Sequence, residues 1–301
     1  MTSNKIALSI DVEDWFHGPS ITGSDFSFFS SIDEFFKHWD KTKNYDYLSK
    51  PLDQILRIFE EFQVKATFFI VADVIDIFPG KVESIVEKGH EIACHSLHHK
   101  ICLNTKTKSP FISVSEFEDN TGFAKEKLEK VYGKKIIGYR APGAYIGDWM
   151  LNSLIKLGFE YDSSISSNSI YNKTNFSTKG ISSNPYWISK NDAQIFEIPW
   201  PYFNFLKLRF PTGGGPFFRL FPLWYNKLGI KSSLKRGDTM FYWHPYDISS
   251  VPFPSLASKN SRRKFMFNKT IKNGEQKVKK LLQAFDGQWV TCEEIYRQNL
   301  S

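Results

Sequence analysis

The sequence predicts an α/β chain built on a parallel sheet or barrel. Strand-length apolar runs alternate with stretches of helical period from end to end. The polar residues Asp11, His95, Arg140, Asp162 and His244 each fall just past such a run. In a barrel of parallel strands that is where the active-site rim lies.

Ile6 to Ile10 reads as a buried strand that stops at an acidic cluster. Residues 26–46 are aromatic and polar without a period, and read as an inserted loop or short helices. Leu52, Ile55, Leu56, Ile58, Phe59 and Phe62 have helical spacing. Ala66 to Val71 is a buried strand, Gly80 to Lys88 a helix stopped by Gly89, and Glu91 to Cys94 a strand that runs into histidines. Val114 to Tyr132 is a helix with Val114, Phe117, Thr121, Ala124, Leu128 and Val131 on one face. Ile136 to Tyr139 is a strand, Trp149 to Leu157 a helix closed by Gly158, and Phe159 to Tyr161 a strand. Ile195 to Ile198 and Thr239 to Trp243 are strands, and Lys277 to Phe285 is a helix. Val290–Thr291 and Cys292 to Gln298 read as a last strand and helix.

A chain of 301 residues buries a full core as one large domain or two small ones. The reading is a single domain over 1–301, with insertions around 20–50 and 163–235. Net charge is +7, which is compatible with anionic partners, and the densest basic stretch, Ser261 to Lys280, reads as a solvated helix face. Anionic glycan or a membrane surface is the sharper alternative for it. The 28 phenylalanines supply core, or a sugar-binding surface where they gather in loops. Nothing resembles a zinc finger, basic zipper or RNP motif, so no nucleic-acid partner is expected. Cys94, Cys102 and Cys292 form no CxxC pair, so no disulfide framework is expected. Without a signal-peptide pattern or a run of 18 apolar residues, the expected location is cytoplasmic, with attachment at the membrane periphery as a variant.

Five clusters carry chemistry. Asp11-Val12-Glu13-Asp14 places three carboxylates within four residues, which a cation or an arginine makes tolerable. Gly89 to His99 holds four of the seven histidines. His95 and His99 are four apart, so one helical turn would put both imidazoles on one side. HExxH spacing is missed by one residue. Two imidazoles and a carboxylate with open positions describe a catalytic metal site. Gly138 to Gly143 sets Arg140 at a strand end before a Pro142-Gly143 turn. Tyr161-Asp162-Ser163-Ser164 and Phe241-Tyr242-Trp243-His244-Pro245 complete the set, His244 being the only histidine after His99. Gly213-Gly214-Gly215 fits neither a Walker loop nor a dinucleotide fingerprint and reads as a flexible loop near the substrate groove.

This ordered series resembles the five motifs of NodB-type polysaccharide deacetylases, carbohydrate esterase family four. TFFIVADV, GHEIACHSLHH, YRAPG, YDSSI, EIPW, GGGPFFRLFP and FYWHP look closest to a branch linked to exopolysaccharide and lipopolysaccharide synthesis. The resemblance runs from Ile6 to about Phe285 and implies a distorted (β/α) barrel of about seven parallel strands. It implies removal of an N-acetyl group from an amino sugar, glycoconjugate or polysaccharide. One divalent ion, zinc before cobalt, nickel, manganese or iron, would be held by His95, His99 and an acid of the first cluster. The family's adjacent aspartates are replaced by Asp-Val-Glu-Asp, so that acid is Asp14 or Glu13. His98 is the fallback second ligand.

By the same resemblance Asp11 is the general base and Arg140 positions it. His244 protonates the leaving amine, oriented by Asp162, with His17 as the fallback donor. Ser96 braces the histidine loop. Pro142, Gly143 and Trp243 contact substrate, and a backbone N–H near Gly143 faces the oxyanion. The fourth motif lacks the family's tryptophan after its aspartate, which leaves the acyl pocket's shape open. Hydrolysis of a small non-sugar amide or cyclic imide on the same fold is the competing enzyme reading. An inactive glycan-binding homologue is the competing reading outside catalysis.

Overall fold

Among the described residues, nine strands form one curled sheet in the order β10-β1-β2-β3-β4-β5-β7-β6, with β11 added to the N-terminal half of β1. The computed structural model describes residues 4–17, 37, 46–190, 192–251 and 273–300. In chain order the elements begin with β1 (Ile6–Val12), α1 (Ser49–Glu61), β2 (Thr67–Ile70), α2 (Val74–Ile77) and α3 (Lys81–Glu87). Then come β3 (Glu91–Cys94), α4 (Val114–Tyr132), β4 (Gly138–Tyr139), α5 (Asp148–Lys156) and β5 (Tyr161–Asp162). After β6 (Tyr186–Lys190) and β7 (Ala193–Glu197) follow β8 (Tyr202–Phe205), β9 (Leu208–Pro211), α6 (Gly215–Leu220) and α7 (Leu223–Leu234). The chain closes with β10 (Thr239–Trp243), α8 (Gly274–Ala284), β11 (Trp289–Val290) and α9 (Cys292–Gln298).

All described pairings in this sheet are parallel except β6 on β7, so the fold is an α/β half-barrel curled around parallel strands. Helix α4 shows how local sequence sets a boundary. Ser113 caps its start by accepting the Glu116 N–H at 3.1 Å, and Gly133 ends it with a left-handed φ of 68°.

Strand alternation divides the core in two. Leu8, Ile10, Val12, Phe68, Ile70, Phe241 and Trp243 face the helices. Ala7, Phe69, Ala93, Tyr161, Phe196, Met240 and Tyr242 face the inside of the curl. Asp11 continues the inner row of Ala7 and Ser9, and Arg140 follows the helix-facing Tyr139, so both project inward at the strands' C-terminal ends.

The opposite end of the curl is plugged by α9. Its Cys292, Ile295 and Tyr296 pack into the inner cluster. Buried Glu91 anchors it by accepting the Glu293 N–H at 3.0 Å and the hydroxyls of Thr67 and Tyr161, and burial pushes Glu91 up to about 7.

Two expectations need revision. Residues 163–235, read as looser insertions, hold β6 to β9, α6 and α7. The histidine motif is not a helical turn but a loop in which Ser96 and His99 take left-handed φ of 70° and 57°. Such backbone is costly for residues with side chains and clusters at functional sites. The expected insertion at 20–50 lies outside the described residues up to position 45, Lys37 apart, as does the basic stretch from Ser261 to residue 272.

Candidate metal and catalytic site

Glu13, His95 and His99 bring one ligand atom each to within 4.8 Å of one another, all buried. Glu13 Oε2 lies 2.7 Å from His99 Nε2 and 3.9 Å from His95 Nε2. Yet among the described residues this oxygen has no aligned hydrogen-bond donor. His95 Nδ1 donates to the Arg140 carbonyl at 2.7 Å, which fixes the tautomer and leaves the Nε2 lone pair free. Ser96 Oγ accepts the His99 N–H at 2.9 Å and braces the loop. A buried carboxylate oxygen and a free imidazole lone pair aimed at one point fit a divalent cation.

Charge around Glu13 agrees. Burial opposes its ionisation, but His99, His244 and His95 outweigh it and hold the carboxyl well below the usual carboxylate range. Burial lowers His95 to about 4, so it stays neutral as a ligand must. Glu13 Oε1 accepts the Tyr246 hydroxyl at 2.5 Å.

Asp14 is not part of this cluster. Its Oδ1 accepts the Trp15 N–H at 2.6 Å and its Oδ2 the Tyr47 N–H at 3.2 Å, so backbone amides occupy both oxygens. Between the two acids that the sequence left open, the geometry turns Glu13 toward the histidines.

Arg140 is fully buried and reaches across the curl. It donates to Asp11 Oδ1 at 2.5 Å, to the Ser163 carbonyl at 3.0 Å and to the Ser9 hydroxyl at 3.1 Å. Its guanidinium lies 3.9 Å from the Phe69 ring centroid and 4.9 Å from that of Tyr242. The other Asp11 oxygen is 3.9 Å from His244 Nε2. Asp11 and His244 therefore flank the Glu13–His95–His99 cluster.

His244 is oriented by Asp247 rather than by Asp162. Pro245–Ile248 forms a 3-10 turn, and Asp247 Oδ2 accepts from both the His244 N–H at 2.9 Å and Nδ1 at 2.7 Å. Burial lowers the His244 pKa, but Asp247, Glu13 and Asp11 outweigh it and raise it to about 9. Asp162 instead sits opposite Glu197 in the β5–β7 register. Its Oδ1 accepts the Ser164 hydroxyl at 2.6 Å, and burial raises both carboxyls. Strand pairing holds Asp162 on this acid, away from His244.

Trp243 is also corrected. It is fully buried, stacked on Phe218 at 5.2 Å and edge-on to Phe59 at 6.1 Å, because its strand parity points it at the helices. Tyr242, of opposite parity, lies beside His244 and Arg140. Pro142 and Gly143 form the turn after Arg140, where the Gly143 carbonyl accepts the Lys173 ammonium at 2.8 Å. His17 and His98 are both drawn to Asp73, at 2.7 and 3.1 Å. Because His17 Nδ1 accepts the Asp14 N–H, its Nε2 proton is the one given to Asp73.

Sequence reasoning missed Asp247 and Tyr246, and the His-x-x-Asp spacing of a capped turn was the available signal. It also misread the glycine run as a flexible loop. A Cβ at Gly215 would strike the His244 imidazole and Asp247, and one at Gly214 would strike Tyr242. The run lets backbone approach the His244–Asp247 pair.

Residues 42–161 match the polysaccharide deacetylase family model, and residues 163–297 match a domain of unknown function, DUF3473. A peptidoglycan deacetylase of Helicobacter pylori is 27% identical over 118 residues, 39% of this chain and 38% of that protein. A peptidoglycan-N-acetylglucosamine deacetylase of Bacillus cereus is 26% identical over 107 residues, 36% of this chain and 46% of that protein. The match thus spans less than half the length of either relative. A crystal structure from Mycobacterium smegmatis, assigned as a polysaccharide deacetylase, superposes with a TM-score of 0.62 at 19% identity, over 99% of this chain and 91% of that one. That likeness is one of fold. Residues 42–161 are thus similar to polysaccharide deacetylases, and the chain shares the fold of a structure assigned to that class.

Proposed function

We propose that the chain is a metal-dependent hydrolase that removes an N-acetyl group from an amino sugar in a polysaccharide or glycoconjugate. The observation that carries this reading is the buried Glu13–His95–His99 cluster flanked by Asp11 and His244. The curated relatives' names, peptidoglycan deacetylases, point to the same substrate class. Imidazole and carboxylate donors suit zinc first, and cobalt, nickel, manganese or iron as well. When bound, a divalent cation supplies Lewis-acid polarisation of the amide oxygen and makes water more acidic.

The chain's own residues do the rest. Asp11, oriented by Arg140, takes the proton of the attacking water. A backbone N–H of the turn at Gly143 faces the developing oxyanion. His244, charged through Asp247, gives its Nε2 proton to the departing nitrogen, which cannot leave as an anion. The segment matching DUF3473 supplies β10, His244 and Asp247, so the whole chain works as one catalytic unit.

Acetate release from N-acetylglucosamine oligomers and peptidoglycan fragments tests this. Release is expected from metal-loaded protein, to stop on chelation and to return on adding zinc. A metal-loaded protein that frees no acetate from any N-acetylated sugar contradicts it, and leaves the imide and binding-only readings.

A further inference from the structure

Between Ile198 and Gly237 the chain carries seven basic side chains and no carboxylate. Three of them turn inward. Arg209 donates to the Ile181 carbonyl at 2.6 Å, Arg236 to the Tyr202 carbonyl at 2.7 Å, and Arg219 lies 3.5 Å from Asp247. The remaining four are Lys207, Lys227, Lys231 and Lys235, and all but the half-buried Lys227 are exposed.

The apolar side chains among them are also exposed. β8 and β9 form a hairpin whose two-residue turn, Leu206-Lys207, has left-handed φ of 48° and 64°. Asn-Gly is the usual choice in such a turn. Here Leu206 occupies it while 80% exposed, and its neighbours Phe205 and Leu208 are 60% and 48% exposed. A large apolar side chain in strained backbone at a wet tip gains nothing from the fold itself. On α7, Trp224, Lys227, Leu228, Lys231 and Lys235 recur at helical spacing down one face and just past its end, and Trp224 is 65% exposed. The opposite face, with Tyr225, Asn226, Gly229, Ile230 and Ser233, is buried. Phe203 of the hairpin packs on Tyr225 at 5.4 Å, and the Tyr225 hydroxyl donates to the Pro211 carbonyl at 2.9 Å, so hairpin and helix form one unit.

This unit borders the catalytic rim. Trp200, just before the hairpin, donates to the Ser163 carbonyl beside Arg140, and Gly215, just after it, lies against His244.

We propose that the hairpin tip and the outer face of α7 dock on an anionic lipid surface. Phe205, Leu206, Leu208 and Trp224 enter the headgroup layer, and the four lysines pair with lipid phosphates. Apolar side chains interleaved with cations and free of carboxylates are the composition of an interfacial anchor. A second copy is a poorer occupant, because two such faces carry like charge. Stacking on sugar needs flat rings, and the most exposed residue of the tip is Leu206.

Flotation with vesicles of phosphatidylcholine alone, or with about a third phosphatidylglycerol, tests this on the full chain. Binding is expected only to the anionic vesicles, weakening as salt is raised. The double variant Leu206→Glu/Trp224→Glu should bind about tenfold less or weaker. Its melting temperature should match the parent's, since both side chains are exposed. Lys227→Gln/Lys231→Gln/Lys235→Gln should bind less and lose most of the salt dependence. The proposal is overturned if the parent ignores anionic vesicles, if it binds neutral ones equally, or if the double variant binds like the parent. It is equally overturned if the parent elutes as a dimer that the double variant splits while neither binds lipid. None of these outcomes depends on the activity proposed for the site.

Discussion

Asparagine in place of Asp11 is expected to lower turnover by about 100-fold or more while the metal stays bound. The two effects separate because the structure separates the groups. The Asp11 carboxylate is committed on one side to Arg140 at 2.5 Å and faces His244 on the other, whereas Glu13, His95 and His99 form the cluster proposed to hold the cation. An amide matches the shape of the carboxylate but cannot accept a proton at neutral pH. Metal content by mass spectrometry and turnover on the same preparation check this. Near-normal turnover of metal-replete Asp11→Asn would remove Asp11 from the base role. Joint loss of metal and activity would make Asp11 a ligand.

The second large effect falls on stability. Arg140→Ala is expected to destabilise the fold by about 3–5 kcal/mol, the usual cost of removing one partner from a buried ion pair. Arg140 is fully buried and Asp11 nearly so, so the carboxylate left behind loses its charge partner and regains little solvation. The Ser9 and Ser163 hydroxyls and the Phe69 face lose their partner as well. Neutralising the stranded charge should restore part of the loss, so Arg140→Ala should cost less in an Asp11→Asn background. Denaturant unfolding of the four proteins measures this coupling. Additive losses would mean that Arg140 acts through packing and its serine contacts, not through Asp11.

Much of the architecture was legible because strong local signals coincide with element ends. The helix Val114–Tyr132 and the strands Glu91–Cys94 and Thr239–Trp243 have the expected bounds, the first because Ser113 and Gly133 cap it. Helix α7 was hidden by Gly229, a poor helix former kept there because a Cβ would strike Thr212. The antiparallel β6 and the β8–β9 hairpin escaped because aromatic, Ser and Pro-rich sequence blurs a period of two. At the site, residues that directly follow a strand were readable, since a strand end fixes where the side chain emerges. His95, Arg140 and His244 all lie there, and Asp11 sits one residue inside the end of β1. Choices made by turns were not. Glu13 over Asp14 depends on the fold of residues 13–17, and Asp247 over Asp162 on the 3-10 turn after β10. Trp243 was a parity error that counting alternation along β10 corrects to Tyr242.

The central claim is that Glu13, His95 and His99 hold the ion on which the chemistry depends. A crystal grown with zinc, with diffraction recorded on both sides of the zinc absorption edge, tests it most directly. The account predicts one strong anomalous peak about 2.0–2.2 Å from His95 Nε2, His99 Nε2 and a Glu13 carboxylate oxygen, with Asp14 still bound by the Trp15 and Tyr47 amides. A peak on Asp73 between His17 and His98, a peak on Asp14, or no peak in this cluster at saturating zinc would contradict it.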